Sequence, residues 1–83
     1  MEQSPNRKGQ ETPAEALGRL RRVAGLAPRD PELRLVLARA LLDNSLTDEA
    51  IDQLRSVISM SPNNLEARKV LEFALHLPIM RPS

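Results

Sequence analysis

Few residues in this chain are of types that could carry out catalysis. Asp48, Glu49 and Asp52 form the one close group of carboxylates, and His76 is the single histidine among 83 residues. Acid–base catalysis needs such groups to converge on a substrate. The three carboxylates instead stand where a helix is predicted to begin, and His76 stands where one ends, and both placements stabilise a helix dipole. We therefore expect no catalytic residues and no enzymatic activity.

Metal and cofactor sites are not expected either. The chain has no cysteine, which excludes disulfides and thiolate metal sites, and one histidine leaves little for any other transition-metal site. The three glycines, Gly9, Gly18 and Gly25, form no loop that could hold a phosphate. The sequence predicts neither a bound metal nor a cofactor.

The charge is balanced over the whole chain but uneven along it. Twelve basic and eleven acidic residues give a net charge of +1, so there is no general attraction to nucleic acid or anionic lipid. Four arginines make the region around the first predicted helix basic: Arg19, Arg21, Arg22 and Arg29. Four acids make the middle acidic: Asp43, Asp48, Glu49 and Asp52. This polarity could drive association between copies, whereas nucleic acid is not an expected partner because no aromatic residues lie among the arginines.

The expected location is the cytoplasm, in soluble form. No apolar run approaches the roughly 18 residues that a membrane span requires. The first eleven residues, 1–11, are polar, lack the apolar segment of a signal peptide, and are predicted to form a flexible tail.

Start and stop signals then divide residues 12–77 into four predicted helices. Thr12 and Asp30 are each followed by a proline at the first helical position, which is a typical helix start. We expect Thr47 to begin a third helix and Asn63 or Asn64 to cap a fourth. The residues that share the apolar stripes are Ala16, Leu17, Leu20, Val23, Ala24 and Ala27, then Leu33, Val36, Leu37, Ala40 and Leu41, then Ala50, Ile51, Leu54, Val57 and Ile58, and finally Ala67, Val70, Leu71, Ala74 and Leu75.

The chain repeats itself when it is shifted so that Glu15 aligns with Glu49. Over the 27 pairs from Glu15 and Glu49 to Leu41 and Leu75, 12 are identical. Two helices in a period of roughly 34 residues resemble the tetratricopeptide repeat, a family whose motif is W-x2-L-G-x2-Y, then A-x3-F, then P. The corresponding residues here are Arg34, Leu37, Ala38, Leu41, Ala50, Leu54 and Pro62.

Arg34 is the main departure from that motif, because a charge stands where the family often buries a large ring. Its repeat equivalent, Arg68, makes the same substitution. We expect the aliphatic part of each side chain to cover apolar surface while the guanidinium stays in water.

The resemblance implies an all-α fold, a short right-handed solenoid of about four antiparallel helices. One full repeat would stand between two half repeats, in a domain over residues 12–77. The last helix would then expose apolar groups where the next helix normally stacks, and the residues expected in this end patch are Phe73, Leu77, Ile79 and Met80. Either the C-terminal tail, residues 78–83, folds back as a cap, or another chain covers the patch.

The resemblance also implies a partner groove, because the first helix of each repeat usually lines the concave surface. The residues that map to this groove are Glu32, Leu35, Arg39, Leu42, Asp43, Glu66, Lys69, Phe73 and His76. Arg39 and Lys69 could bind a carboxylate, and the apolar residues could contact a peptide or helix. The asparagines of the family's carboxylate clamp are absent, which argues against chaperone-tail binding.

The predicted function is therefore a non-enzymatic protein–protein interaction module that binds a peptide or helix in this groove. The alternative is a self-associating or structural assembly subunit whose terminal helices pair in a homo-oligomer without a peptide ligand.

Overall fold

A computed structural model describes residues 11–77 as four α-helices joined by short turns. The helices are α1 (Pro13–Leu26), α2 (Pro31–Asp43), α3 (Thr47–Met60) and α4 (Leu65–Leu75). No strand occurs in this range, so the prediction of an all-α fold is confirmed. The predicted tails lie almost wholly outside the described residues, which include only Glu11 of the first one.

Three of the four helices begin at the predicted cap residue. Thr12 and Glu15 form a reciprocal capping box, in which each side chain accepts a hydrogen bond from the other's backbone N–H, at 3.1 and 3.0 Å. The Asp30 carboxylate accepts from the second and third residues of α2, and the Asn64 side chain accepts from Ala67 in α4 at 2.9 Å. These contacts satisfy amide groups that a helix start leaves without partners.

The prediction that Thr47 begins α3 is confirmed, although no side chain caps this helix. Thr47 is already the first helical residue, and the cap position belongs to Leu46, whose side chain cannot accept a hydrogen bond. The turn before it is held by the backbone instead: Ser45 adopts a left-handed conformation with φ 64°, and the Leu46 N–H donates to the Leu41 carbonyl at 2.8 Å.

Each helix packs against its neighbour in the chain, and α2 also touches α4. The contact between α2 and α3 is the most extensive. The buried residues form two clusters. One lies between α2, α3 and α4 and contains Leu35, Ala38, Leu54, Val57, Ala67 and Ala74. The other lies between α1, α2 and α3 and contains Leu17, Ala24, Leu37, Leu41 and Ala50.

Three residues that were predicted in the apolar stripes are exposed instead. Val23 in α1 is 36% exposed and Leu75 in α4 is 51% exposed. Both belong to a terminal helix, so a face that an inner helix would bury is left uncovered. Val36 is 44% exposed because it lies on a side of α2 that none of the other three helices covers.

None of the four helices combines the length and apolar character needed to cross a membrane.

Candidate partner-binding groove

A shallow cleft runs between α2 and α4 on the side where the groove was predicted. It has a volume of about 350 Å³. Its lining residues are Arg39, Leu42, Asp43, Val70 and Phe73. We call this the α2–α4 cleft. The structure therefore brings together four of the predicted groove residues and adds Val70. Among the described residues, the lining combines three apolar side chains with one charge of each sign.

The other predicted groove residues do not line this cleft. Glu32, Lys69 and His76 are exposed to solvent outside its lining. His76 follows the last residue of α4, and its Nδ1 atom lies 2.7 Å from the Glu72 carbonyl, so that ring nitrogen is already engaged with the backbone.

Leu35 was expected on the groove surface, and that expectation is wrong. Its side chain is 4% exposed and belongs to the cluster that α3 and α4 complete. The second apolar stripe of α2, which contains Leu35, is therefore explained by two flanking helices. No exposed groove is needed to account for it.

Arg39 does not present a free guanidinium to a ligand. It forms an ion pair with Glu66 of α4, and both side chains are 53% exposed. Such exposed pairs contribute little to stability. The pair still matters for binding, because a ligand carboxylate would have to compete with Glu66 for the same guanidinium.

Phe73, the only aromatic residue of the chain, is 59% exposed. It was predicted in both the groove and the end patch, and the structure places it in the α2–α4 cleft beside Leu42 and Val70. Leu77 is half-buried. Ile79 and Met80 of the predicted end patch lie outside the described residues.

A larger cleft, which the sequence did not reveal, lies between the α1–α2 turn and the C-terminal half of α3. Its volume is about 690 Å³. It is lined by Pro28, Arg29, Pro31, Arg34, Ser56, Ser59, Met60 and Ser61. We call this the turn cleft. Among residues 11–77, its lining contains two arginines and no acidic residue. No local pattern could have grouped these residues, because they come from two segments that are far apart along the chain.

The two arginines at the unusual motif position make the same contact. Arg34 Nε donates to the Pro28 carbonyl at 2.7 Å, and Arg68 Nε donates to the Pro62 carbonyl at 2.8 Å. Arg34 also donates from its NH1 group to Gln53 Oε1 at 2.8 Å. Each guanidinium holds the turn that precedes its helix. Arg68 remains exposed, as expected, whereas Arg34 is half-buried and also binds α3, so the expectation that its guanidinium stays in water is wrong.

Two bidentate ion pairs lie on the outer surface. Arg21 of α1 binds Glu49 of α3 at 2.7 and 3.0 Å and so links the two helices. Arg19 binds Glu11 at 2.9 and 2.8 Å. Hydrogen bonds from Arg19, reinforced by its charge, hold the pKa of Glu11 below its ordinary value, and the same contact raises the pKa of Arg19.

A family model for the tetratricopeptide repeat matches residues 9–72. The chain belongs to the tetratricopeptide repeat family. Such repeats generally mediate protein–protein interaction and generally have no enzymatic activity. No match is found among curated proteins or solved structures.

The family assignment confirms the predicted repeat architecture. In a tetratricopeptide array two helices form one repeat, and here α2 and α3 supply both helices of a complete unit. In the alignment of the chain with itself, α1 corresponds to the second helix of a repeat and α4 to the first. The family match ends before Phe73, so the aromatic residue of the α2–α4 cleft lies just outside it.

Proposed function

We propose that this chain is a non-enzymatic interaction module whose α2–α4 cleft binds a short peptide or helix of a partner protein. The observation that carries the proposal is the exposed Phe73 side chain, which lines the cleft together with Leu42 and Val70. An exposed aromatic residue beside aliphatic ones offers apolar area at low entropic cost, which is typical of residues that dominate binding energy.

The charges of the cleft indicate which ligands suit it. Asp43 lines the cleft, and its carboxylate makes no hydrogen bond or ion pair with any residue in 11–77. Arg39, by contrast, is held by Glu66. A partner segment that places an apolar side chain on Phe73 and a basic group beside Asp43 would therefore gain both contacts without breaking an existing one.

We place this module in the cytoplasm. The support is the lack of cysteine in the whole sequence, which fits a reducing compartment.

The test is a peptide-display selection on the wild-type protein, followed by affinity measurements on Phe73→Ala and Asp43→Lys variants. We expect Phe73→Ala to weaken the selected peptides about tenfold or more, because it removes the largest apolar contact. Asp43→Lys should discriminate specifically against peptides with a basic residue.

Leu65→Ala is the matched control. Leu65 is in the same helix, is 68% exposed and lines neither cleft, so its loss tests whether any exposed apolar residue of α4 has the same effect. Circular dichroism should show that all three variants remain folded. Selected peptides that bind the Phe73→Ala variant as tightly as the wild type would overturn the assignment of the cleft.

A further inference from the structure

Each terminal helix is equivalent to one member of the α2–α3 pair but is not packed against an equivalent of the other member. In the complete repeat, α2 and α3 pack on each other more extensively than any other pair. α1 is the equivalent of α3, but within residues 11–77 no helix packs on α1 as α2 packs on α3. α4 is the equivalent of α2, but within the same residues no helix packs on α4 as α3 packs on α2. One end of the molecule therefore offers what the other end needs.

Exposure at equivalent positions shows where these contacts are unfilled. Val57 in α3 is 0% exposed, but its equivalent in α1, Val23, is 36% exposed. Leu41 in α2 is also 0% exposed, whereas its equivalent in α4, Leu75, is 51% exposed. The same side chains are thus core residues in the complete repeat and surface residues at the ends.

Many of the side chains that form this contact recur on the two terminal helices. The residues of α1 that are identical to their equivalents in α3 are Glu15, Ala16, Leu20, Arg21 and Val23. The residues of α4 that are identical to their equivalents in α2 are Glu66, Arg68, Val70, Leu71, Ala74 and Leu75. We propose that copies of this chain associate head to tail, with α1 of one copy packing on α4 of the next to complete an additional repeat.

An unpaired arginine supports this arrangement over other partners. Within one chain, Arg21 of α1 pairs with Glu49 of α3. The equivalent arginine in α3 is Arg55, which is exposed and has no partner within residues 11–77. In a head-to-tail pair, Glu15 of the second copy occupies the position equivalent to Glu49 and meets Arg55. The ion pair of the complete repeat is then formed again across the junction.

Several departures make the junction weaker than the α2–α3 contact. Lys69 stands where α2 has Leu35, which is 4% exposed, so a charged side chain takes the place of a core leucine. Arg19 stands where α3 has Gln53, so it would approach Arg68, although its bound Glu11 carboxylate offsets the repulsion. Glu72 stands where α2 has Ala38, which is 0% exposed, so the two helices cannot approach as closely. The association is therefore reversible and depends on protein concentration.

The contact joins two different surfaces, so it does not close on itself as a two-fold dimer does. A heterologous contact of this kind adds further copies in a row unless the rotation closes a ring. We expect the mass of the particles to rise steadily with concentration instead of stopping at two chains.

The test uses sedimentation velocity on two variants of the full chain, each of which has one of its two contact surfaces blocked. Val23→Glu blocks α1 and Leu75→Glu blocks α4, and both residues are already exposed, so each variant should fold as a monomer. Each variant alone should show no growth in mass up to about 1 mM. An equimolar mixture should give particles of two chains and no larger, because each variant keeps the end that the other has lost.

Met60→Glu is the matched control for Leu75→Glu. Both residues end a helix, and Met60 is 38% exposed but belongs to α3 of the complete repeat. This control should associate like the wild type.

A charge exchange tests the register of the junction. Arg55→Glu should weaken association about two- to fivefold, as expected for an exposed pair. Glu15→Arg should weaken it at least as much, because it also removes the capping-box contact to the Thr12 N–H. The double variant should associate more strongly than the Glu15→Arg variant, because the pair is formed again with its charges reversed.

Three outcomes would overturn the proposal. Wild-type protein that is monomeric up to about 1 mM would show that the ends do not pair. Loss of association in Leu75→Glu alone, with Val23→Glu unaffected, would show a two-fold contact between α4 helices. Failure of the mixture to form pairs would also exclude the head-to-tail contact. None of these outcomes bears on the α2–α4 cleft, because neither Val23 nor Leu75 lines it.

Discussion

The complete repeat in the middle of the chain and the half repeats at its ends carry nearly the same sequence pattern but not the same core. The largest fully buried side chains are Leu41, Leu54 and Val57, and all three belong to α2 or α3. In α1 no residue reaches full burial, and in α4 only Ala67 and Ala74 do. The difference shows that burial in this molecule depends on the number of neighbouring helices and only secondarily on residue type.

The energetic consequence is large for a chain of this length. Burying a leucine side chain completely contributes about 1.5–3 kcal/mol relative to leaving it exposed. An apolar side chain of α1 or α4 that remains exposed therefore contributes less to stability than its buried equivalent. The middle pair therefore supplies most of the apolar stabilisation, and the terminal helices depend on it.

The strongest way to test this comparison is to remove the same side chain from the middle and from one end. Leu54 is 0% exposed, while its repeat equivalent, Leu20, is only half-buried. We expect Leu54→Ala to lower the free energy of unfolding by about 3 kcal/mol and Leu20→Ala by about 1 kcal/mol, because only the first leaves an enclosed cavity. Urea denaturation followed by circular dichroism measures both. Equal losses would show that the two positions are equally packed.

A smaller effect on stability is expected from replacing Arg34 or Arg68, the arginines at equivalent positions of the repeat. Arg34 binds the Pro28 carbonyl and Gln53, whereas Arg68 binds the Pro62 carbonyl and no side chain in the described part of the chain. Arg34→Leu should cost about 1 kcal/mol and Arg68→Leu about 0.5 kcal/mol, since only the former leaves a half-buried amide without its partner.

Thermal melting of the two arginine variants, with Arg29→Leu as a control, would check this prediction. Arg29 is exposed and makes no hydrogen bond or ion pair within residues 11–77, so its removal should change stability least. A larger loss for Arg68→Leu than for Arg34→Leu would contradict the view that the contact to α3 adds stability.

The smallest effect concerns pH and the exposed N-terminal end. The pKa of Glu11 is lowered by its hydrogen bonds from Arg19, so the stabilisation from this pair is present above the unfolded pKa. It is lost as the pH falls through the lowered pKa. NMR titration should find Glu11 below its ordinary value of 4.5, and Arg19→Gln should return it toward that value. An ordinary pKa in the unmodified protein would show that the pair does not persist in solution.

Helix boundaries followed from the sequence because the interactions that set them are local. Thr12, Asp30 and Asn64 cap amide groups two or three residues further on, so neighbouring residues contain the necessary information. The repeat period was equally visible, because it requires only comparison of the chain with itself. The start of α3 at Thr47 was predicted as well, although Leu46 at its cap position makes no side-chain hydrogen bond.

The site was predictable only in part, because its geometry depends on how distant helices are placed. The internal repeat located the side of the molecule on which Arg39 and Phe73 lie together. It could not show that Glu66 occupies the Arg39 guanidinium, or that Leu35 is covered by two other helices. The turn cleft was invisible for the same reason, since its lining joins the α1–α2 turn to the end of α3.

The hydrogen bond from Arg34 to the Pro28 carbonyl has a consequence for how this chain could lengthen by gene duplication. The bond and its companion, from Arg34 to Gln53, both lie within a single repeat period, residues 28–61. A tandem copy of that segment, inserted after Ser61, would bring its own turn, the arginine that holds the turn, and a glutamate for Arg55 of the preceding copy. New length could therefore arise by copying alone, without any new contact having to evolve first.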